Sequence, residues 1–116
     1  MSRKDMGDHG EQVARALLEQ NGLQFIMSNY SCDMGEIDLI MRDGDCWVFI
    51  EVKCRSDEHF ATVVEQITPA QCQRIRRCAQ LFLLQQELNE HVTPMRFDVV
   101  AIVIDYDQAQ WLQDAF

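Results

Sequence analysis

The sequence predicts an α/β domain. Its sheet is mixed: three strands form an antiparallel meander, a fourth is added through a crossover helix, and helices flank the whole. Three observations predict this. An amphipathic stretch opens the chain and is followed by three apolar runs rich in β-formers. Asp43-Gly44 punctuates the last two of those runs, which is a hairpin signal. A long, capped helical stretch then leads to a fourth β-branched run, and strand–helix–strand is the parallel crossover unit.

The first helix is expected from near Asp8 to Asn21, with Gly22 just past its end and Val13, Ala14, Leu17 and Leu18 at helical spacing. Residues 23–30, 36–42 and 46–54 read as strands, and residues 55–67 as a loop. Residues 68–90, "TPAQCQRIRRCAQLFLLQQELNE", read as the clearest helix. Thr68 suits its N-cap, Pro69 its first turn, and Gln71 completes a capping box. Cys72, Ile75, Ala79, Phe82 and Leu83 form its apolar stripe. A strand follows over 95–104, and the tail "QWLQDAF" closes the chain. With no repeat, linker or low-complexity segment, residues 1–116 read as a single domain.

At 116 residues, 47% hydrophobic and 25% charged, the chain is long enough for a sizeable core. No apolar run approaches the roughly 20 residues that span a bilayer. "MSRKDMGDHGEQ" lacks the apolar region of a secretory signal, so a cytoplasmic protein with no membrane partner is expected. The five cysteines are scattered, with no C-x-x-C, and are expected as reduced thiols. Their spacing to His9, His59 and His91 supports no zinc site. A net charge of −9 argues against a general polyanion-binding surface, so any nucleic-acid contact must be local.

The hairpin carries the unusual residues. Ile37, Leu39 and Met41 share one face of its first strand, and Glu36, Asp38 and Ile40 the other. Val48, Ile50 and Val52 share one face of its second strand, with Trp47, Phe49, Glu51 and Lys53 on the other. A two-residue turn at Asp43-Gly44 makes Asp38 and Glu51 diagonal neighbours; a four-residue loop puts them directly opposite; a three-residue loop splits them. Charges in so apolar a hairpin cost several kcal/mol unless paired or bound to a metal. Two carboxylates with a lysine suit Mg²⁺ and a metal-assisted phosphodiester hydrolysis, with Lys53 orienting the water or stabilising developing charge. The plainer reading is a cross-strand ion pair between Asp38 and Lys53, worth about 0.2–1 kcal/mol.

Other residues admit two readings each. Glu11 is either a ligand reaching in from the first helix or part of a capping box with Asp8 and an i,i+4 pair with Arg15. Arg74 and Arg77, with Arg76 between them and Arg55 after the third strand, either contact phosphates or form a solvated face. Asp98 is a buried structural acid or an extra site residue. Glu36 neighbours Glu51 or marks an exposed strand start. Trp47 and Phe49 read as core.

"GEIDLI" (35–40), "FIEVKCR" (49–55), "RFDVVAI" (96–102) and "WLQDAF" (111–116), with "GDHGE" (7–11) and "NY" (29–30), resemble the YraN-like bacterial proteins over nearly the whole chain. That family is similar to the PD-(D/E)xK nuclease superfamily, which includes archaeal Holliday-junction resolvases and restriction endonucleases. The resemblance implies a restriction endonuclease-like core. It matches Asp38 to the motif aspartate, Glu51 and Lys53 to the E-x-K, and Glu11 to the acidic residue of the first helix. It implies a nucleic acid-binding hydrolase: a Mg²⁺- or Mn²⁺-dependent endonuclease acting on DNA, branched or damaged, with a homodimer expected as for resolvases. The alternative is a catalytically silent module of the same fold that binds nucleic acid or a protein partner.

Overall fold

The structure is a computed structural model that describes residues 3–55, 67–103 and 108–116. Its elements are α1 (Arg3–Gln20), β1 (Gln24–Cys32), β2 (Gly35–Asp43), β3 (Cys46–Arg55), α2 (Pro69–Gln85), β4 (Met95–Val103) and β5 (Gln108–Leu112). The five strands form one sheet in the order β1-β2-β3-β4-β5. Strands β1, β2 and β3 pair antiparallel, β3 and β4 pair parallel, and β4 and β5 antiparallel. The α/β class, the meander and the crossover are therefore as the sequence predicts. Most of the loop expected over 55–67, and residue 104, lie outside the described residues.

Four local expectations are corrected. Helix α1 begins at Arg3, not near Asp8, because Arg3 to Met6 carry no helix breaker. Asp8 and Glu11 thus sit inside the helix, and no capping box joins them. Its end is as expected: Gly22 takes φ 92°, its N–H donates to the Glu19 carbonyl and that of Leu23 to Leu18. Helix α2 starts at Thr68 with both capping-box bonds but ends at Gln85 instead of running to 90. Glu87 turns left-handed (φ 59°), the Leu88 N–H donates to the Leu83 carbonyl, and Leu88 folds back onto the core. The tail holds a fifth strand, Gln108–Leu112, pairing on β4. Finally, Cys32 and Cys78 are joined by a disulfide, their Cα atoms 6.2 Å apart, while Cys46, Cys54 and Cys72 are free. The meander carries Cys32 beneath α2, a proximity that a separation of 46 residues does not reveal.

The sheet is covered on both sides. Helix α1 lays Ala14 and Leu18 on Leu39, Met41, Val48, Ile50 and Val100. Helix α2 lays Ile75, Ala79, Phe82 and Leu83 on Ile37, Ile40, Phe49 and Phe97. Gly10 sets how closely α1 lies on β3: a Cβ there would stand 2.8 Å from the Cys54 Cβ. We expect Gly10→Val to cost about 1–3 kcal/mol by overpacking, read as a lowered thermal midpoint; an unchanged midpoint contradicts the close approach.

Candidate metal centre

The hairpin turn is one residue later than expected. Asp43 pairs with Cys46, so the two turn residues are Gly44 and Asp45. Gly44 alone of these two has positive φ (61°), which matches a type II′ turn with glycine first. Asp43 stays in the strand because its carboxylate accepts from Arg96 Nη1 on β4, at 2.9 Å. The β2–β3 ladder runs from there to Leu39↔Ile50 and stops. One step further along this register, Asp38 faces Glu51.

At that point the two strands part. Pairs that exchange backbone bonds alternate along an antiparallel ladder, so the Val52 N–H is due to donate to the Ile37 carbonyl. It donates instead to Asp38 Oδ2, at 2.7 Å. Side-chain alternation fails at the same place. Ile37 packs beneath α2 while Leu39 packs beneath α1, so they do not share the face that strand parity predicts. Asp38, between them, turns its carboxylate into the fork between β2 and β3, where it stands in for a backbone acceptor.

The partner strand turns at the same level. Ser28 pairs with Leu39 and Tyr30 with Ile37, which sets Asn29 opposite Asp38. Asn29 lies within β1 yet has φ 55°, a left-handed conformation that costs about 1–2 kcal/mol and that asparagine tolerates better than most residues. Ser28 lines a cavity of about 260 Å³ under α1 with Glu11, Arg15, Phe25 and Asn29, while Tyr30 packs beneath α2.

The fork gathers the acids. Burial, then the charge of Glu51 and a side-chain hydrogen bond with it, push Asp38 up from 3.8 to about 8; the Val52 N–H opposes this. Glu51 pairs with Lys53 Nζ at 3.6 Å, both side chains largely buried. Glu11 comes in from α1. Burial and the charge of Asp38 raise its pKa, favouring the neutral form, and the side chain of Asn29 opposes this. Carboxylate oxygens of Glu11, Glu36 and Asp38 lie within 4.8 Å of one another. Oxygen-only donors, negative in sum, fit a hard divalent cation such as Mg²⁺ or Mn²⁺.

Of the sequence-predicted set, Asp38 meets Glu11 in one carboxylate group and Glu51 at the fork, and Lys53 pairs with Glu51, but the third carboxylate of the 4.8 Å group is Glu36 and not Glu51. The arginines are not gathered as a group. Arg74 lies over Gly35 at the start of β2, since a Cβ on Gly35 would be 3.6 Å from its Cβ. Arg77 is a turn further along α2, beside Leu81, Leu84 and His91. Arg55 Nη1 donates to the Cys54 carbonyl. Arg76 stacks over Phe97 at 4.9 Å. Asp98 is fully buried and accepts from Arg96, from Trp111 Nε1 and from the Asp114 N–H, so it is structural. Phe49 is core, packed against Phe82 and Phe97. The sequence offers Glu36 as a neighbour of Glu51 or an exposed strand start and gives Asn29 no role of its own; the one available signal for Asn29 is an asparagine, the non-glycine residue most at ease at positive φ, inside an apolar strand.

Fold and site define an α/β domain with a cluster of carboxylates at a strand fork. The profile of the uncharacterised protein family UPF0102 matches residues 10–102, and the chain belongs to that family. A UPF0102 protein of Idiomarina loihiensis is 48% identical over 110 residues, covering 95% of each chain. UPF0102 proteins of Yersinia pseudotuberculosis and Yersinia pestis are 46% identical over 116 residues, covering all of this chain and 97% of theirs. Among the described residues no helix is long and apolar enough to cross a membrane.

Proposed function

We propose that the protein is a Mg²⁺- or Mn²⁺-dependent DNA endonuclease of the PD-(D/E)xK type, with branched or damaged DNA as substrate. One observation carries this reading. Asp38 turns its carboxylate into the fork to accept from the Val52 N–H, half-buried beside Glu51, and carboxylate oxygens of Glu11, Glu36 and Asp38 gather within 4.8 Å of one another, a crowding of negative charge that a divalent cation can offset. An ion there supplies Lewis acidity, neutralising charge on the scissile phosphate and acidifying a water near it.

The chain's own residues do the rest. Asp38 and Glu51 hold the ion, and Glu11 adds a third carboxylate with Glu36 beside it. Lys53, against Glu51, orients the attacking water and offsets charge on the phosphate oxygens. Arg74, over Gly35 at the start of β2, contacts a flanking phosphate, and Arg55 and Arg77 contact separate ones. A second copy of the chain lets both strands of a junction be cut.

The net charge of −9 favours the second reading, a silent module whose acidic surface meets a protein partner. Cleavage separates the two. Linear duplex, single-stranded and four-way-junction DNA are incubated with the protein and Mg²⁺ or Mn²⁺. Wild type is expected to cleave, and Asp38→Ala and Lys53→Ala to lower the rate at least ~100-fold. No cleavage by wild type, or equal cleavage by both variants, sinks the nuclease reading.

A further inference from the structure

We infer that Asn29 is the positioning residue of the acidic centre: its left-handed backbone turns Asp38 into the fork, and its side chain holds Glu11 alongside. The inference rests on the cation-site reading above and deepens it.

Three positive-φ residues other than glycine occur among the described residues, Asn29, Glu87 and Asp114. Glu87 closes a helix and Asp114 follows the last strand, while Asn29 interrupts a strand. Its position explains the interruption. The β1–β2 register shifts between Phe25 and Met27 and is then constant from Met27↔Ile40 to Cys32↔Gly35, through Ser28↔Leu39 and Tyr30↔Ile37. Yet both strands exchange faces between those pairs: Ser28 and Leu39 border the cavity under α1, while Tyr30 and Ile37 pack beneath α2. The residues at the exchange are Asn29 and Asp38. A positive φ rotates the chain where an extended residue would continue the alternation. Asp38 is thereby freed from the pleat and its carboxylate reaches the Val52 N–H.

The Asn29 side chain acts on a second acid. It lines the same cavity as Glu11 and opposes the rise in that acid's pKa, and Gly10 has already brought the helix carrying Glu11 close to β3. Such an outer partner fixes a ligand's orientation, and losing one usually weakens metal binding without unfolding the site. Asparagine combines both roles: it tolerates the left-handed backbone, and its amide donates to a carboxylate.

Asn29→Gly separates them, because glycine keeps the backbone freedom and removes the side chain. Mn²⁺ affinity of Asn29→Gly is expected to fall about 10–100-fold. In a Glu11→Ala background the same substitution is expected to change affinity by less than about twofold, since its partner is gone. Equal weakening in both backgrounds, or none in either, overturns the inference. The Val52 amide must keep its protection from exchange in Asn29→Gly; its loss assigns the weakening to collapse of the fork and overturns the side-chain role.

A metal-free readout stands apart from the nuclease reading. The side-chain amide of Asn29 should shift in NMR spectra on Glu11→Ala, and an unmoved signal overturns the contact. Should wild type bind no Mn²⁺, or Glu11→Ala abolish binding alone, this amide signal decides the inference. The first of those results removes the cation site itself.

Discussion

Asp38→Asn is expected to stabilise the metal-free protein at pH 8 and to remove its response to Mn²⁺. The isosteric amide keeps both bonds of the fork: its oxygen accepts from the Val52 N–H and its nitrogen donates to Glu51. What it removes is the charge. The sign follows from the proton count. Asp38 titrates near 8 when folded but at its ordinary 3.8 when unfolded. Below about pH 4 both states hold the proton and the group is neutral to stability. Between about pH 4 and 8 the folded protein keeps a proton that the unfolded chain releases, so stability falls as pH rises, by up to about 1.4 kcal/mol per unit. Above about pH 8 the loss is complete, several kcal/mol in all. The gap between variant and wild type, read by urea denaturation without metal, should therefore open from pH 4 to pH 8 in the variant's favour. Adding Mn²⁺ should close it from the wild-type side. A gap that stays flat with pH contradicts the buried, proton-holding pair.

Asp98→Ala carries the largest expected loss of stability, about 3–5 kcal/mol, as for breaking a buried ion pair from one side. Its carboxylate is wholly enclosed and accepts from Arg96 Nε, Trp111 Nε1 and the Asp114 N–H at 2.9–3.1 Å. Removal strands all three donors, and Arg96 already has a buried Nη2 without a hydrogen bond. The consequences reach both edges of β4. Trp111 and Asp114 fasten β5 and the tail, while Arg96 reaches across to Asp43 and so holds the hairpin turn in register. Chemical denaturation measures the loss, and a cost below about 1 kcal/mol, the level of an exposed pair, contradicts the network.

These residues also show how far the sequence could be read. The meander and the crossover helix rest on local chemistry, an Asp-Gly turn and a Thr-Pro-x-Gln cap, and both lie in the sequence itself. The exact turn does not. Asp43 is kept in its strand by Arg96, 53 residues away, and this moves the turn to Gly44-Asp45. Strand β5 is short and mixed, and Trp111 belongs to it through a bond to a buried acid that periodicity cannot register. The disulfide is likewise a product of tertiary proximity. The site is the most instructive case. Parity brought Asp38 and Glu51 together on paper through a shared face. In the structure they meet because Asp38 leaves its face altogether, at a rotation matched by a left-handed Asn29 on the neighbouring strand. Residue identities named the acids, and backbone geometry supplies the reason they touch.

The central claim is that Asp38, half-buried beside Glu51, holds a proton whose place a divalent cation takes. Calorimetric titration of Mn²⁺ into the protein at pH 7, in two buffers of different ionisation enthalpy, tests it most directly. Wild type is expected to release about one proton per ion bound, falling away above pH 8, with no release or binding by Asp38→Asn. Binding without proton release, or binding unaffected by that substitution, would place the cation elsewhere and contradict the account.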